Sequence, residues 1–182
     1  IASWLLGTPA VATNDSFAKA VVIEGLNGQF RASSAGASKE TGEPLHANNR
    51  GGKSVWYLWT APSNTLMTFT TAGSAFDTLL AIYTGSAVNA LTTVKHNNDG
   101  SEYPLSALSF SATAGTTYRI AVDGYDGAGG ALGLNWLPGA TEEISSNDNF
   151  ADALPLNGGR GEVGVSNQGA TKEPGEPEHA DN

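Results

Sequence analysis

Short runs of alternating apolar and polar residues, broken every 8–14 positions by Gly, Asn or Pro, fill the chain from residue 19 to residue 137. A period of two places alternate side chains on opposite faces of a strand. The pattern predicts nine strands: 19–24, 28–33, 53–60, 65–71, 77–83, 90–96, 105–111, 116–123 and 130–137. Val55, Tyr57 and Trp59 alternate with Ser54, Trp56 and Leu58, and Leu108 and Phe110, two apart, share a face. Phe69, Leu79, Ile82, Ile120 and Val122 are further expected core. Trp56 and Trp59 are three apart, so one strand points them opposite ways, which suits one for the core and the other for the surface or for packing of its own. Pro44 and Pro62 fall between strands, where a missing N–H costs no ladder bond. Gly127-Ala128-Gly129-Gly130 is expected as a hairpin turn. Many short strands at this spacing predict an all-β antiparallel sandwich.

A repeat organises these elements. Asn14-Asp15-Ser16-Phe17-Ala18 returns as Asn147-Asp148-Asn149-Phe150-Ala151. Gly36-Ala37-Ser38-Lys39-Glu40-Thr41-Gly42-Glu43-Pro44-Leu45-His46-Ala47 returns as Gly169-Ala170-Thr171-Lys172-Glu173-Pro174-Gly175-Glu176-Pro177-Glu178-His179-Ala180. The offset is 133 residues without a gap, and 18 of the 36 positions from 14–49 to 147–182 are identical. Ser3-Trp4-Leu5 likewise resembles Asn135-Trp136-Leu137. The expected organisation is an end strand and linker at 1–13, a complete unit at 14–137, a linker at 138–146 and the first part of the next unit at 147–182. A segment of 36 residues with few large apolar groups needs a neighbour to pack on, which would suit strand donation between subunits. Trp4, Trp136, Phe150, Glu173, Glu176 and His179 are the expected interface residues.

Composition narrows the function classes. Hydrophobic residues make up 40% and charged residues 15%, with 23 Gly and no Cys, so disulfides and thiolate metal sites are out. The net charge is −9: residues 1–140 contribute −2 and residues 141–182 contribute −7. Without a basic stripe the chain is a poor nucleic-acid ligand, and its short apolar runs predict no membrane span. Ile1-Ala2-Ser3-Trp4-Leu5-Leu6 lacks the charged leader expected of a signal peptide. No Gly-Xaa-Ser-Xaa-Gly elbow and no His-Glu-Xaa-Xaa-His occurs. Gly51-Gly52-Lys53-Ser54 mimics the end of a phosphate loop, but Ala47 stands where that loop needs Gly and a strand follows. An enzyme is not expected.

Three sets of residues carry candidate chemistry. Calcium takes about six to eight oxygen ligands, and Asn14, Asp15, Asp77, Asp99, Asp123 and Asp126 offer them. The same Asx residues equally suit side-chain capping of turns. Glu40, Glu43 and His46, in the repeated motif, suit a metal or partner contact, or a rigid loop in which His46 bonds a backbone group. The aromatics suit either sugar stacking or the core.

Phe76-Asp77-Thr78-Leu79-Leu80-Ala81-Ile82-Tyr83-Thr84-Gly85, Asn97-Asn98-Asp99, Ala114-Gly115-Thr116-Thr117-Tyr118-Arg119-Ile120-Ala121-Val122-Asp123-Gly124 and Gly133-Leu134-Asn135-Trp136 follow the opening Asn14-Asp15-Ser16-Phe17 in order. This ordered set resembles the bacterial pre-peptidase C-terminal domain over nearly all of 14–137. The resemblance implies a jelly-roll-like sandwich, a non-catalytic role in a secreted or cell-surface protein, and calcium, which related collagen-binding domains hold near the domain entrance. Together these readings predict a structural repeat module that self-associates into a fibre, or alternatively an adhesive module for a polysaccharide or a protein such as collagen.

Overall fold

The structure, a computed structural model, describes residues 12–100 and 104–139 together with Pro174. The chain divides into two compact units, Ile1–Gly139 and Ala140–Asn182. In the first, nine strands form among the described residues: Val21–Ile23 (β1), Gly28–Ser33 (β2), Val55–Thr60 (β3), Thr65–Thr70 (β4), Thr78–Thr84 (β5), Thr92–Asn97 (β6), Ala107–Ala112 (β7), Thr117–Gly124 (β8) and Ala131–Pro138 (β9). Each falls in or across an expected segment. The first is shorter than expected because Phe17–Lys19 close a 3-10 turn, with the Lys19 amide donating to Ser16 O.

Two sheets face each other. One has the order β1-β3-β8-β5-β6, the other β2-β9-β4-β7. Strands β2 to β9 give the strand orders of a jelly roll, with most connections crossing from one sheet to the other. Strand β1 adds to the edge of β3 as a parallel pair, so the sandwich is antiparallel apart from that pair. Parallel neighbours cannot be joined by a hairpin; here the chain between Ile23 and Val55 makes the crossover. The expected hairpin at 127–130 is absent. Gly124 pairs with Thr78 in one sheet while Ala131 pairs with Ser33 in the other, so Tyr125–Gly130 carries the chain between sheets.

The inner faces interdigitate as the alternation requires. Tyr57, Trp59, Leu80, Ile82, Ile120 and Val122 meet Met67, Phe69, Leu108, Phe110, Leu134 and Trp136. A second, smaller cluster covers the outside of the five-stranded sheet: Phe17, Trp56, Ala81, Tyr83 and Ala121. Strand β5 is therefore buried on both faces, which is why Leu79-Leu80-Ala81-Ile82-Tyr83 reads as a continuous apolar run. Trp56 and Trp59 do point opposite ways, but neither is exposed; both are 0% accessible. Of the two roles open to the outward tryptophan, surface or packing, the fold takes packing, because the 3-10 turn and the loop joining β2 to β3 lie over Trp56.

Phe17 meets Trp56 edge-on with centroids 5.1 Å apart, and the Arg119 guanidinium lies 4.4 Å above the Phe17 ring. Phe17→Ala should cost roughly 3–5 kcal/mol, as for a core aromatic. Chemical denaturation measures it; a loss below about 1 kcal/mol would mean that the outer cluster is not a core.

Candidate functional site

Residues 34–52, the strap, join β2 to β3 and carry the repeated motif across the outside of the five-stranded sheet. His46 is fully buried. Its Nδ1 is hydrogen-bonded to Tyr83 Oη at 2.8 Å and its Nε2 to Glu43 Oε1 at 2.7 Å, and the ring meets Trp56 edge-on at 5.4 Å. The expected backbone partner is thus replaced by two side chains, because the sheet beneath His46 already spends its backbone groups on the ladders. Past His46 the chain turns sharply, with Ala47 and Asn48 at positive φ and the Asn49 amide returning to His46 O.

The other motif residues tie the strap to the turn below it. Glu43 Oε2 accepts from the Glu40 amide at 2.9 Å, and Glu40 Oε2 accepts from the Phe17 amide at 2.6 Å. Asp15 Oδ1 accepts from the Ser38 amide at 2.7 Å. Asn14 Nδ2 donates to Trp56 O, while Asn14 O accepts from the Trp56 amide. These links are the capping use of Asx and Glu side chains.

Asp123, at the end of β8, is the strap's second anchor. Its Oδ1 accepts from the amides of Gly52, Lys53 and Gly124 at 3.0, 2.7 and 2.7 Å. Lys39 Nζ lies 3.7 Å from Oδ2. Gly51 (φ +54) lies so close that a Cβ there would sit 1.7 Å from Oδ2.

Glu43, His46 and Asp123 present ligand atoms within 4.8 Å of one another. The donor set is nevertheless already used: both His46 nitrogens are bonded, Asp123 Oδ1 takes three amides, and the Lys39 ammonium supplies positive charge beside Oδ2. The arrangement acts as a clasp. Burial works to raise the Glu43 pKa, but hydrogen bonds from His46, Ser54 and the Glu40 amide outweigh it and hold the carboxyl below 4.5. Burial, and then the Glu43 and Asp123 carboxylates, push the Tyr83 hydroxyl up, so it stays protonated.

The expected calcium ligands separate into two groups. Asn14, Asp15 and Asp123 are engaged by the strap and Trp56, so they do not suit a cation. Asp77, Asp99 and Asp126 lie on separate loops, where burial, then the charges of Asp99 and Asp126, raise the Asp77 pKa. Asp77 Oδ1 and Asn98 Oδ1 are buried without a hydrogen-bond partner among the described residues. The Asp77, Asp99 and Asp126 carboxylates are not gathered within 4.8 Å of one another among the described residues. Trp136 belongs to the core rather than an interface: it is buried against Gly28, where a Cβ would come within 2.3 Å of its ring. Trp4, Phe150, Glu173, Glu176 and His179 lie outside the described residues.

Sequence reasoning passed over Lys39, Tyr83 and Gly51. Lys39 had a signal, since Lys172 repeats it within the motif; Tyr83 joins its cluster only through the fold.

No family model and no curated protein matches the chain. Among solved structures it is similar to the pre-peptidase C-terminal domain of a collagenase from Bacillus anthracis: 14% identity, 64% of this chain and 93% of that chain covered, TM-score 0.44. It is also similar to PliG of Aeromonas hydrophila, a periplasmic inhibitor of g-type lysozyme (14%, 64%, 95%, TM-score 0.42). A third is a mitogen derived from Yersinia pseudotuberculosis (10%, 64%, 89%, TM-score 0.39). The first of these is a domain of the family that the sequence resembles.

Two predictions follow from the clasp. Because the folded-state Glu43 pKa is lowered, its ionisation contributes stability that is complete above the unfolded value of 4.5 and is lost as pH falls through the folded value. Melting temperature should fall in that acid range, and Glu43→Gln should lower the neutral-pH plateau and flatten this fall; an unchanged profile contradicts the clasp. Gly51→Ala should lower the melting temperature by more than Gly115→Ala, whose Cβ would meet nothing within 4 Å although its φ is also positive (+76). The difference should be about 4 °C or more, from roughly 1 kcal/mol or more of overpacking.

Proposed function

We propose that the chain is a non-catalytic structural repeat module of an extracellular or cell-surface protein, working through contacts between repeats. The observation that carries this reading is which residues the two copies share. Of the six buried residues between 14 and 49, four are identical 133 positions on, and Ile23 becomes Leu156. Of the fourteen exposed ones, ten differ. Three of the four exposed identities are Gly25, Gly36 and Gly42, all at positive φ, where glycine is favoured for the backbone. A catalytic or adhesive surface used once per repeat would keep its exposed side chains. Here the interior and the bends persist while the surface drifts, which suits a building unit. Light scattering across a concentration series, with negative-stain electron microscopy, tests it: association into end-to-end assemblies is expected, and a monomer at every concentration contradicts it.

A second reading, an adhesive module, is favoured by one observation. An apolar groove of about 430 Å³ runs along the edge strand β2, lined by Ala12, Asn14, Phe30, Arg31 and Ala32 among others. Pull-down on insoluble polysaccharide or collagen, weakened by Arg31→Glu, would favour this reading.

Calcium belongs to the same proposal, with the buried, unpartnered oxygens of Asp77 and Asn98 as its candidate ligands. Bound cation stabilises the folded state by mass action. Melting temperature should fall by several degrees in chelator, and Asp77→Asn should abolish that difference; equal melting with and without chelator contradicts calcium binding.

A further inference from the structure

We propose that Lys39 Nζ and Asp123 Cγ condense into an amide, a covalent cross-link that ties the strap to the end of β8. The cross-link does not depend on the repeat-module reading.

Lys39 Nζ is buried without a hydrogen-bond partner among the described residues, although an ammonium carries three donors. Asp123 Oδ2 lies 3.7 Å from it, beyond hydrogen-bond distance, and Asp123 is fully buried. A desolvated ion pair without good hydrogen bonds is costly to hold, and an amide removes both charges at once. The acceptor carboxyl is also set up for attack. The amides of Gly52, Lys53 and Gly124 converge on Oδ1, with the Gly52 amide shared with Oδ2 at 3.1 Å. Several N–H groups aimed at one carboxyl oxygen are what holds an oxyanion when a nucleophile adds to the carbon. Oδ1 remains in the product as the amide carbonyl and keeps these bonds. Oδ2, on the lysine side, is the oxygen that leaves. Glu43 supplies the proton relay: its carboxylate lies within 4.8 Å of the Asp123 carboxylate, within reach of one bridging water. His46 holds Glu43 in place, and Gly51 closes over Oδ2 so tightly that a Cβ would not fit. Lys172 and Glu176 repeat the amine and the relay within the second copy of the motif.

The condensation needs no co-reactant. The Lys39 ammonium passes one proton to Oδ2. The freed Nζ lone pair adds to Cγ, and the C=O electron pair moves onto Oδ1 beneath its amides. Glu43 takes a second proton from Nζ and delivers it to Oδ2. The Oδ1 electron pair re-forms the C=O bond, the Cγ–Oδ2 bond breaks and one water leaves; the third proton stays on the amide nitrogen. Holding the two groups side by side replaces an encounter in solution, an advantage that reaches an effective concentration of about 10⁵–10⁸ M for well-aligned pairs.

Intact-mass spectrometry of the denatured full chain, fresh and after several days at neutral pH, reads the bond. The wild type should be lighter than its sequence by one water, and proteolysis should yield a branched peptide joining Lys39 to Asp123. Lys39→Arg keeps the charge without the amine and should show the full sequence mass. Freshly made Glu43→Gln should hold mostly the uncross-linked mass, and a fully linked Glu43→Gln overturns the role given to Glu43. A wild type at full sequence mass at both times overturns the proposal, whatever the variants do. So does a water loss that persists in Lys39→Arg, because cyclisation of Asp123 onto the Gly124 amide loses the same water.

Discussion

Trp56 faces away from the space between the sheets, and the first third of the sandwich is arranged around that fact. Strand β3 has Val55, Tyr57 and Trp59 for the main core, so its alternation turns Trp56 outward. A buried indole removes about 150–250 Å² from water, on the order of 4–6 kcal/mol at the usual area coefficient. Exposed, it would forgo that and leave an apolar patch. The chain answers with a second layer: Phe17 from the 3-10 turn, Tyr83 from β5, and His46 from the strap. The gain is not free, since Trp56 Nε1 has no hydrogen-bond partner among the described residues, which costs roughly 1–3 kcal/mol.

Covering Trp56 with a polar loop creates a different requirement. A strap has no ladder of its own, so its amides and charges must find partners within reach. Asp123 takes the amides at the C-terminal end of the strap, and Glu40 and Glu43 take those at its middle and at the turn. The carboxylates are then themselves buried and need compensation, which Lys39 and His46 provide. Buried pairs of this type are costly to break singly because the remaining charge stays desolvated. That couples Glu43, His46, Asp123 and Lys39 into one unit and explains why Lys39, Glu43 and His46 recur together in the repeated motif.

The sandwich itself was legible from the sequence. Strand positions follow from period two, and the double-sided burial of β5 shows in its unbroken apolar run. The 133-residue repeat marked the strap as important without saying why. What stayed hidden depends on pairing at long range. Trp56 could not be assigned an inner or outer role, because its cover comes from residues 17 and 46. His46 had a visible motif but an invisible partner, Tyr83, 37 residues away. Asp123 looked like a ligand because an anchor for amides and a ligand for cations need the same oxygen atoms; only the arrival of Gly52, Lys53 and Gly124 distinguishes them. The parallel β1 was unreadable for a similar reason, as three residues carry no signal of strand direction.

Native-state hydrogen exchange tests most directly whether the strap is part of the fold's core or a loop laid over it. The amides of Phe17, Glu40, Gly52 and Lys53, which donate to Glu40, Glu43 and Asp123, are the reporters. They should exchange only on global unfolding, with the same free energy as amides in β3 and β8. Exchange at the rate of surface loops, while β3 and β8 remain protected, would show that the strap opens alone and that Trp56 does not depend on it.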